Sequence, residues 1–148
     1  MGIRMTGFKE HEAANANRLA KTKDQTKIMQ QLSGLYMTSE HPKIFREQKA
    51  PSGIKWVALT AATLRAYVRE FKGTIPGGLL RRKGDLSRSV FRKVKKHGFS
   101  IASNHVSAAT HQFGRGGIPA RPFIGYSKRF RRTAIRLQEK WLSSGDKA

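Results

Sequence analysis

The chain has 148 residues and no cysteine, which predicts one compact domain and excludes a disulfide framework, thiolate zinc sites and cysteine nucleophiles. It has no apolar run of membrane-spanning length and its N-terminus lacks the apolar core of a secretory signal, so we expect neither a membrane span nor export. Thirty Lys and Arg against nine Asp and Glu give a net charge of +21, which predicts a polyanion or an acidic protein surface as a partner.

The first predicted element is one long helix from about Glu12 to Tyr36. This stretch is rich in Ala, Gln, Lys and Leu and contains no proline. Its apolar residues fall roughly on one stripe, formed by Leu19, Ile28, Leu32 and Leu35. Pro42 and Pro51 then interrupt the pattern, and a helical turn between them is expected to bury Phe45.

A middle helix is predicted within the sequence IKWVALTAATLRAYVREFKG, residues 54–73. Apolar and aromatic residues recur there every three or four positions, as one face of an amphipathic helix requires. They are Trp56, Leu59, Thr63, Tyr67 and Phe71. Gly73 stands where a helix stop is expected, and residues 74–84 read as an exposed loop.

A β-hairpin is predicted in the sequence VFRKVKKHGFSIAS, residues 90–103. Two short β-prone runs flank His97 and Gly98, which resemble a two-residue hairpin turn. In the second run Phe99 and Ile101 alternate with small residues, as expected for a strand with one apolar face.

The last predicted element is a helix that Ser127 caps and that runs through Leu142. Its apolar stripe consists of Phe130, Ala134, Leu137 and Trp141. Together the elements predict an α+β fold, in which a long N-terminal helix, a middle helix and a C-terminal helix flank a small antiparallel sheet.

Enzymatic chemistry has little support in the sequence. Asp85 is the only carboxylate between Glu70 and Glu139, so a catalytic pair of acids is not expected in that region. The five histidines lack the spacing of a helical metal site, and the GRGG stretch lacks the frame of a phosphate-binding loop. We predict no enzyme activity, no metal and no cofactor, and a structural role for His111 as a donor to a backbone carbonyl.

Nucleic-acid binding is the alternative explanation of the excess of positive charge. Residues 71–138 hold 16 cations against one anion, which favours phosphate contact through residues 72–136 with strong salt dependence. The sequence contains no zinc finger, basic zipper or RNA-recognition signature. Both a nucleic-acid partner and an acidic protein partner therefore stay open.

The stretch HQFGRGGIPARPFIGYS, residues 111–127, is unusually stiff and basic. Pro119 and Pro122 fix their own φ angles and push the residues before them toward extended backbone. Phe123 and Ile124 follow as apolar anchors. Because such a segment loses little entropy on docking, it suits a fixed packing or subunit contact.

Four ordered motifs of this sequence resemble the phage virion morphogenesis family, the Mu G-like tail completion proteins of contractile-tailed phages. They are a Pro-Gly-Trp entry, a Gly-x-Leu-x-x-Ser step, an Ala-x-His-Gln-x-Gly segment and an Ile-Pro-Ala-Arg-Pro-Phe block. Here they fall on Pro51, Gly53 and Trp56; on Gly84, Leu86 and Ser89; on Ala109, His111, Gln112 and Gly114; and on Ile118 to Phe123. The resemblance runs from about Phe45 to the last helix.

The resemblance implies a non-enzymatic structural protein of the virion, made in the host cytoplasm, that completes the tail at its head-proximal end and joins tail to head. It implies a single tail completion domain over 1–148, with a helical extension over 1–44 and a core over 45–142, and a fold related to neck and tail-end ring proteins. The expected partners are further copies in a ring, commonly a hexamer, and other neck, tail tube or sheath proteins. Genomic DNA in the channel is a further expected contact.

Two groups of site residues follow from this interpretation. The predicted contacts to another subunit or partner are His111, Gln112, Phe113, Ile118, Pro119, Arg121, Pro122 and Phe123. The predicted contacts to an acidic partner or DNA are Arg81, Arg82, Lys83, Arg129, Arg131 and Arg132. We expect most of these cations to face acidic protein surfaces, because a cationic conduit would retard DNA passage.

Overall fold

The computed structural model describes residues 8–72, 78–81 and 83–144, and their side chains from residue 13 onward. Within these ranges the chain is α+β, as predicted, with helices around one antiparallel hairpin. The elements are α1 (Phe8–Lys23), α2 (Thr26–Leu35), a π-helical turn (Tyr36–Glu40), α3 (His41–Glu47), α4 (Ala61–Glu70), α5 (Asp85–Arg88), β1 (Val90–Lys95), β2 (Gly98–Ser103), α6 (Ala108–Phe113) and α7 (Lys128–Ser143).

The prediction of one continuous N-terminal helix is wrong, because the chain breaks between α1 and α2. The Asp24 carboxylate accepts the backbone N–H of Thr26 at 2.9 Å, a local bond that competes with helix continuation. The backbone N–H of Gln25 donates to the carbonyl of Lys96 at 3.1 Å, which fixes the break to the hairpin. Leu19, predicted on the apolar stripe, is 59% exposed.

The core consists of two hydrophobic clusters. In one, the α2 residues Ile28, Met29 and Leu32 pack with Trp141 of α7. The other joins α3, α5 and the start of β1 to the segment between α3 and α4 and the segment between α6 and α7. Its members are Ile44, Phe45, Ala50, Trp56, Leu86, Val90 and Phe123. The predicted helical turn that buries Phe45 is therefore confirmed as α3.

The predicted hairpin is confirmed, but its turn lies one residue earlier than expected. Lys96 and His97 form the turn, and Gly98 already pairs with Lys95 as the first residue of β2. In this register Val94 stands opposite Phe99, and both pack against the α2 cluster. A shift by one residue would turn these side chains away from the core, so core packing selects the register.

The middle helix is shorter than predicted. It begins at Ala61, where the Thr60 hydroxyl oxygen accepts the backbone N–H of Thr63 at 3.3 Å. Trp56 lies before the helix and is buried, and its indole N–H donates to the carbonyl of Pro122 at 2.9 Å. This long-range bond holds the segment out of the helix. The stop predicted at Gly73 lies outside the described residues.

The C-terminal helix is confirmed as α7. Its cap is Ser127, whose hydroxyl oxygen accepts the backbone N–H of Phe130 at 3.0 Å. Phe130 and Trp141 of the predicted stripe are buried, whereas Leu137 stays exposed. The short helices α5 and α6 were not predicted.

Candidate functional site

The candidate site is the segment from α6 to the start of α7, and Gln112 organises its backbone. The side-chain oxygen of Gln112 accepts the backbone N–H groups of Phe123 and Ile124 at 3.0 and 3.1 Å. The side-chain N–H of Gln112 donates to the carbonyl of Ile124 at 3.0 Å. Phe123 has no exposed surface and packs against Phe45, with 5.8 Å between ring centres. The segment is thus fixed to the core at its C-terminal end.

Arg121 fixes the middle of the segment from inside the protein. Its side chain is only 5% exposed. The Nε–H donates to the carbonyl of Val57 at 2.8 Å and Nη2 donates to the carbonyl of Ala58 at 3.1 Å. The backbone N–H of Arg121 also donates to the carbonyl of His111 at 2.7 Å. Burial lowers the pKa of Arg121, while nearby Tyr67 acts in the opposite direction.

A tight turn connects α6 to the proline-containing residues 119–123, which we call the proline strut. Arg115 and Ile118 exchange backbone hydrogen bonds at 3.1 and 3.0 Å. Gly114 has φ +77°, and a Cβ atom there would lie 3.0 Å from the Ile118 carbonyl and from the Ala120 nitrogen. Only glycine fits this conformation and spacing without movement of the backbone. The residues from Pro119 to Phe123 form neither helix nor strand, consistent with the predicted strut.

One face of α6, together with the turn before it, is apolar and exposed to solvent. Val106 is 94% exposed and Phe113 is 78% exposed. Ala109 is exposed between them. The four-residue spacing of Ala109 and Phe113 places both on one side of α6, and Val106 lies in the turn just before the helix. We call these three exposed residues the α6 stripe. Exposed Ile118 follows Phe113 on the neighbouring turn.

The predicted contact residues therefore fall into groups by burial. Arg121 and Phe123 are buried in the core, whereas Phe113 and Ile118 are exposed. The half-buried ones are His111, Gln112, Pro119 and Pro122. The sequence analysis named Ala109 only as a motif residue and did not single out Val106, which lies in the turn before α6. A contact role for the whole group stays a prediction.

The predicted cationic residues lie in two places. Arg129, Arg131 and Arg132 are exposed together on the first turns of α7. Arg81 and Lys83 are exposed before α5, and Arg82 lies outside the described residues. Among the described side chains, none of these five exposed cations forms an ion pair with a carboxylate. The α7 arginines thus present to solvent a positive charge that no described carboxylate neutralises.

A cavity of about 350 Å³ lies beside Arg121, and His105, His111, Tyr67 and Lys83 also line it. Burial, followed by the charges of Arg121 and His105, lowers the pKa of His111. The predicted bond from the His111 ring to a backbone carbonyl does not occur within the described ranges, and its Nδ1 is buried without a hydrogen-bond partner there.

His105 and Ser107 resemble a base and a nucleophile, but their geometry indicates a local turn. The backbone N–H of Ser107 donates to Nδ1 of His105 at 3.2 Å, and the Ser107 hydroxyl lies 2.8 Å from the same nitrogen. Because a backbone N–H can only donate, Nδ1 is an acceptor and is occupied. In the described part of the chain, no group of three or more His, Cys, Asp or Glu side chains is placed to hold a metal ion.

Comparison with known proteins agrees with the motif resemblance. A profile of the phage virion morphogenesis family matches residues 9–143, so the chain belongs to that family. A relative in Escherichia phage Mu, provisionally named capsid assembly protein G, is 30% identical over 115 residues, which cover 72% of each chain. No solved structure matches the chain. The protein therefore has a role in phage assembly.

The described helices were also compared with the requirements of a membrane span. Within residues 8–72, 78–81 and 83–144, no helix combines the length and the apolar character needed to cross a bilayer.

Proposed function

We propose that the chain is a non-enzymatic structural protein that completes the phage tail at its head-proximal end and joins tail to head as a ring of identical copies. The family and the Mu relative support an assembly role. The observation that supports the more specific proposal is the α6 stripe, an exposed apolar surface that the contacts of Gln112, Arg121 and Phe123 hold in place.

The stripe has the properties of a subunit contact. A phenylalanine and a valine this exposed leave apolar surface in water, which association removes at about 25 cal/mol per Å². The hydrogen bonds of the Gln112 side chain to the backbone of Phe123 and Ile124, which we call the Gln112 clamp, and the bonds of Arg121 fix the α6 stripe before association. Little conformational entropy is therefore lost on docking. The occupant we propose is the next copy of the chain in the ring, with Ile118 extending the contact.

The exposed arginines of α7 have a different partner in this proposal. Copies of a chain with a net charge of +21 repel one another, so acidic neighbours would stabilise a ring of such copies. We propose that Arg129, Arg131 and Arg132 mainly contact acidic surfaces of adjacent neck, tube or sheath proteins. A minority of the predicted cationic contact residues would reach DNA.

Genetic complementation tests the proposal. A phage with a disrupted copy of this gene is supplied with the native chain, with Phe113→Ser, or with Leu19→Ser as a control, because Leu19 is also an exposed apolar residue. We expect native and Leu19→Ser chains to restore plaques, and Phe113→Ser to leave separate heads and tails in electron micrographs. Normal joined particles with Phe113→Ser, or particles that lack the native chain, would overturn the proposal.

DNA binding by a monomer is the second candidate function, and the exposed arginines on α7 favour it. If it is correct, the purified chain binds duplex DNA with an affinity that falls steeply with salt. Charge reversal at Arg131 then weakens DNA binding, whereas Phe113→Ser leaves it unchanged.

A further inference from the structure

The cavity beside Arg121 has an unusual charge balance. It is lined by Arg121, Lys83, His105 and His111, and leucine side chains form part of its remaining wall. Asp85 also lines it, but its carboxylate is bound to Arg88 at 2.8 Å. Two cationic side chains and two imidazoles thus line the cavity, and its lining carboxylate, Asp85, is already paired with Arg88.

The described bonds use only part of the donor capacity of the Arg121 guanidinium. A guanidinium has five N–H donors, and the described bonds use two of them, on the carbonyls of Val57 and Ala58. No carboxylate among the described side chains pairs with Arg121. Because a buried cation without a counter-charge is costly, an anion in the cavity would relieve a penalty that the isolated chain bears.

His111 gives a second, independent indication that the cavity binds a ligand. Its Nδ1 is buried, lacks a hydrogen-bond partner among the described residues, and belongs to a ring that lines the same cavity. Because buried polar atoms in folded proteins nearly always have a partner, an unpaired nitrogen beside a cavity points to a bound ion or polar group there.

We infer that this cavity binds a carboxylate side chain of a partner protein, which enters between the leucines and pairs with Arg121 and Lys83. A glutamate suits the site because its alkyl stem matches the apolar wall. The phosphates of a rigid DNA duplex do not suit it, because Arg121 is too deeply buried to be reached. With thirty cations and nine anions, another copy of this chain is a poor source of the acid.

The preference for a carboxylate is a property of the cavity alone. That the donor is another virion protein rests on the proposed function. The two can fail separately: a chain that is absent from particles but still binds carboxylate refutes the proposed function and leaves the cavity assignment intact.

The direct test follows the imidazole signals of His105 and His111 by NMR in the full chain. The probes are N-acetylglutamate methylamide, its neutral glutamine analogue, inorganic phosphate and a short DNA duplex. We expect saturable shifts with the glutamate probe at roughly millimolar concentrations, and much weaker ones with the other three. The absence of saturation, or an equal response to the glutamine analogue, phosphate or duplex, would overturn the inference.

Charge variants locate the binding to this cavity. Lys83 is exposed at the cavity, so Lys83→Glu should leave the fold intact, checked by circular dichroism, and weaken glutamate binding by about tenfold or more. Arg129→Glu is the matched control, because it makes the same charge reversal on α7 and should leave binding unchanged. Equal weakening by both variants would show a general charge effect and contradict the site.

Discussion

The ammonium group of Lys21 donates to the backbone carbonyl of Trp141 at 2.6 Å and lies 5.3 Å from the centre of its ring. It also donates to the carbonyl and hydroxyl oxygens of Ser144 at 2.8 and 3.0 Å. This fully buried lysine satisfies carbonyls at the C-terminal end of α7 and places a cation at the negative end of the helix dipole. Lys21 thereby joins α1 to α7.

Lys21→Met should lower the free energy of unfolding by about 1 to 3 kcal/mol, because it leaves buried carbonyls without a donor. Urea denaturation measures the change. Lys23→Met is the control, since Lys23 is exposed on the same helix, and we expect a change within about 0.5 kcal/mol. Equal losses in the two variants would contradict the assigned role of Lys21.

Gln112→Glu tests the clamp on the strut. The substitution removes the N–H donor and places a carboxylate oxygen against the carbonyl of Ile124, so we expect a loss of about 1 to 3 kcal/mol in the free energy of unfolding. Gln31→Glu makes the same chemical change at an exposed position of α2 and should be nearly neutral. The clamp would be refuted by a Gln112→Glu protein as stable as the Gln31→Glu control.

Phe123→Ala and Phe113→Ala should separate folding from surface function. Phe123 is completely buried, so its truncation should cost about 3 to 5 kcal/mol of stability. Phe113 is mostly exposed, and its truncation should change stability by less than about 0.5 kcal/mol. Thermal and urea unfolding of both variants measure this contrast. A large stability loss in Phe113→Ala would place that side chain in the core and remove it from the α6 stripe.

The stability of the chain should decline in mild acid. Burial lowers the pKa of both His41 and His111 below the ordinary value of 6.5. Well above pH 6.5 both histidines are neutral in the folded and the unfolded chain and contribute no slope. Below it the unfolded chain takes up protons that the folded chain does not, so the free energy of unfolding falls as the pH drops.

Denaturation curves recorded between neutral and mildly acidic pH check this prediction. His41→Phe removes one of the two titrating groups and should reduce the slope over that range. An identical slope in the native chain and the variant would show that His41 does not contribute.

Local sequence signals predicted the elements whose stabilising contacts are local. The cap at Ser127 and the stripe of Phe130 and Trp141 lie within one helix, and α7 was predicted almost to the residue. The break before α2 depends on the bond from Gln25 to Lys96, which no pattern within residues 12–36 reveals. Long-range contacts of this kind are the part of the fold that sequence periodicity does not report.

The same distinction applies to the site. The absence of helix and strand from Pro119 to Phe123 was predictable from its two prolines, because proline fixes its own backbone. The burial of Arg121 was not, since a basic residue is ordinarily placed at the surface and its acceptors, Val57 and Ala58, lie more than sixty residues away. The structure therefore exposes Phe113 and buries Arg121 and Phe123, and the contact surface that we propose is limited to the exposed residues.

Light scattering on the purified chain tests most directly whether copies associate through the α6 stripe. We predict a native mass several times 16.6 kDa, a Phe113→Ser mass close to 16.6 kDa, and a Leu19→Ser control with the native value. A native chain with a mass close to 16.6 kDa, or a folded Phe113→Ser chain with the native oligomeric mass, would contradict association through this stripe.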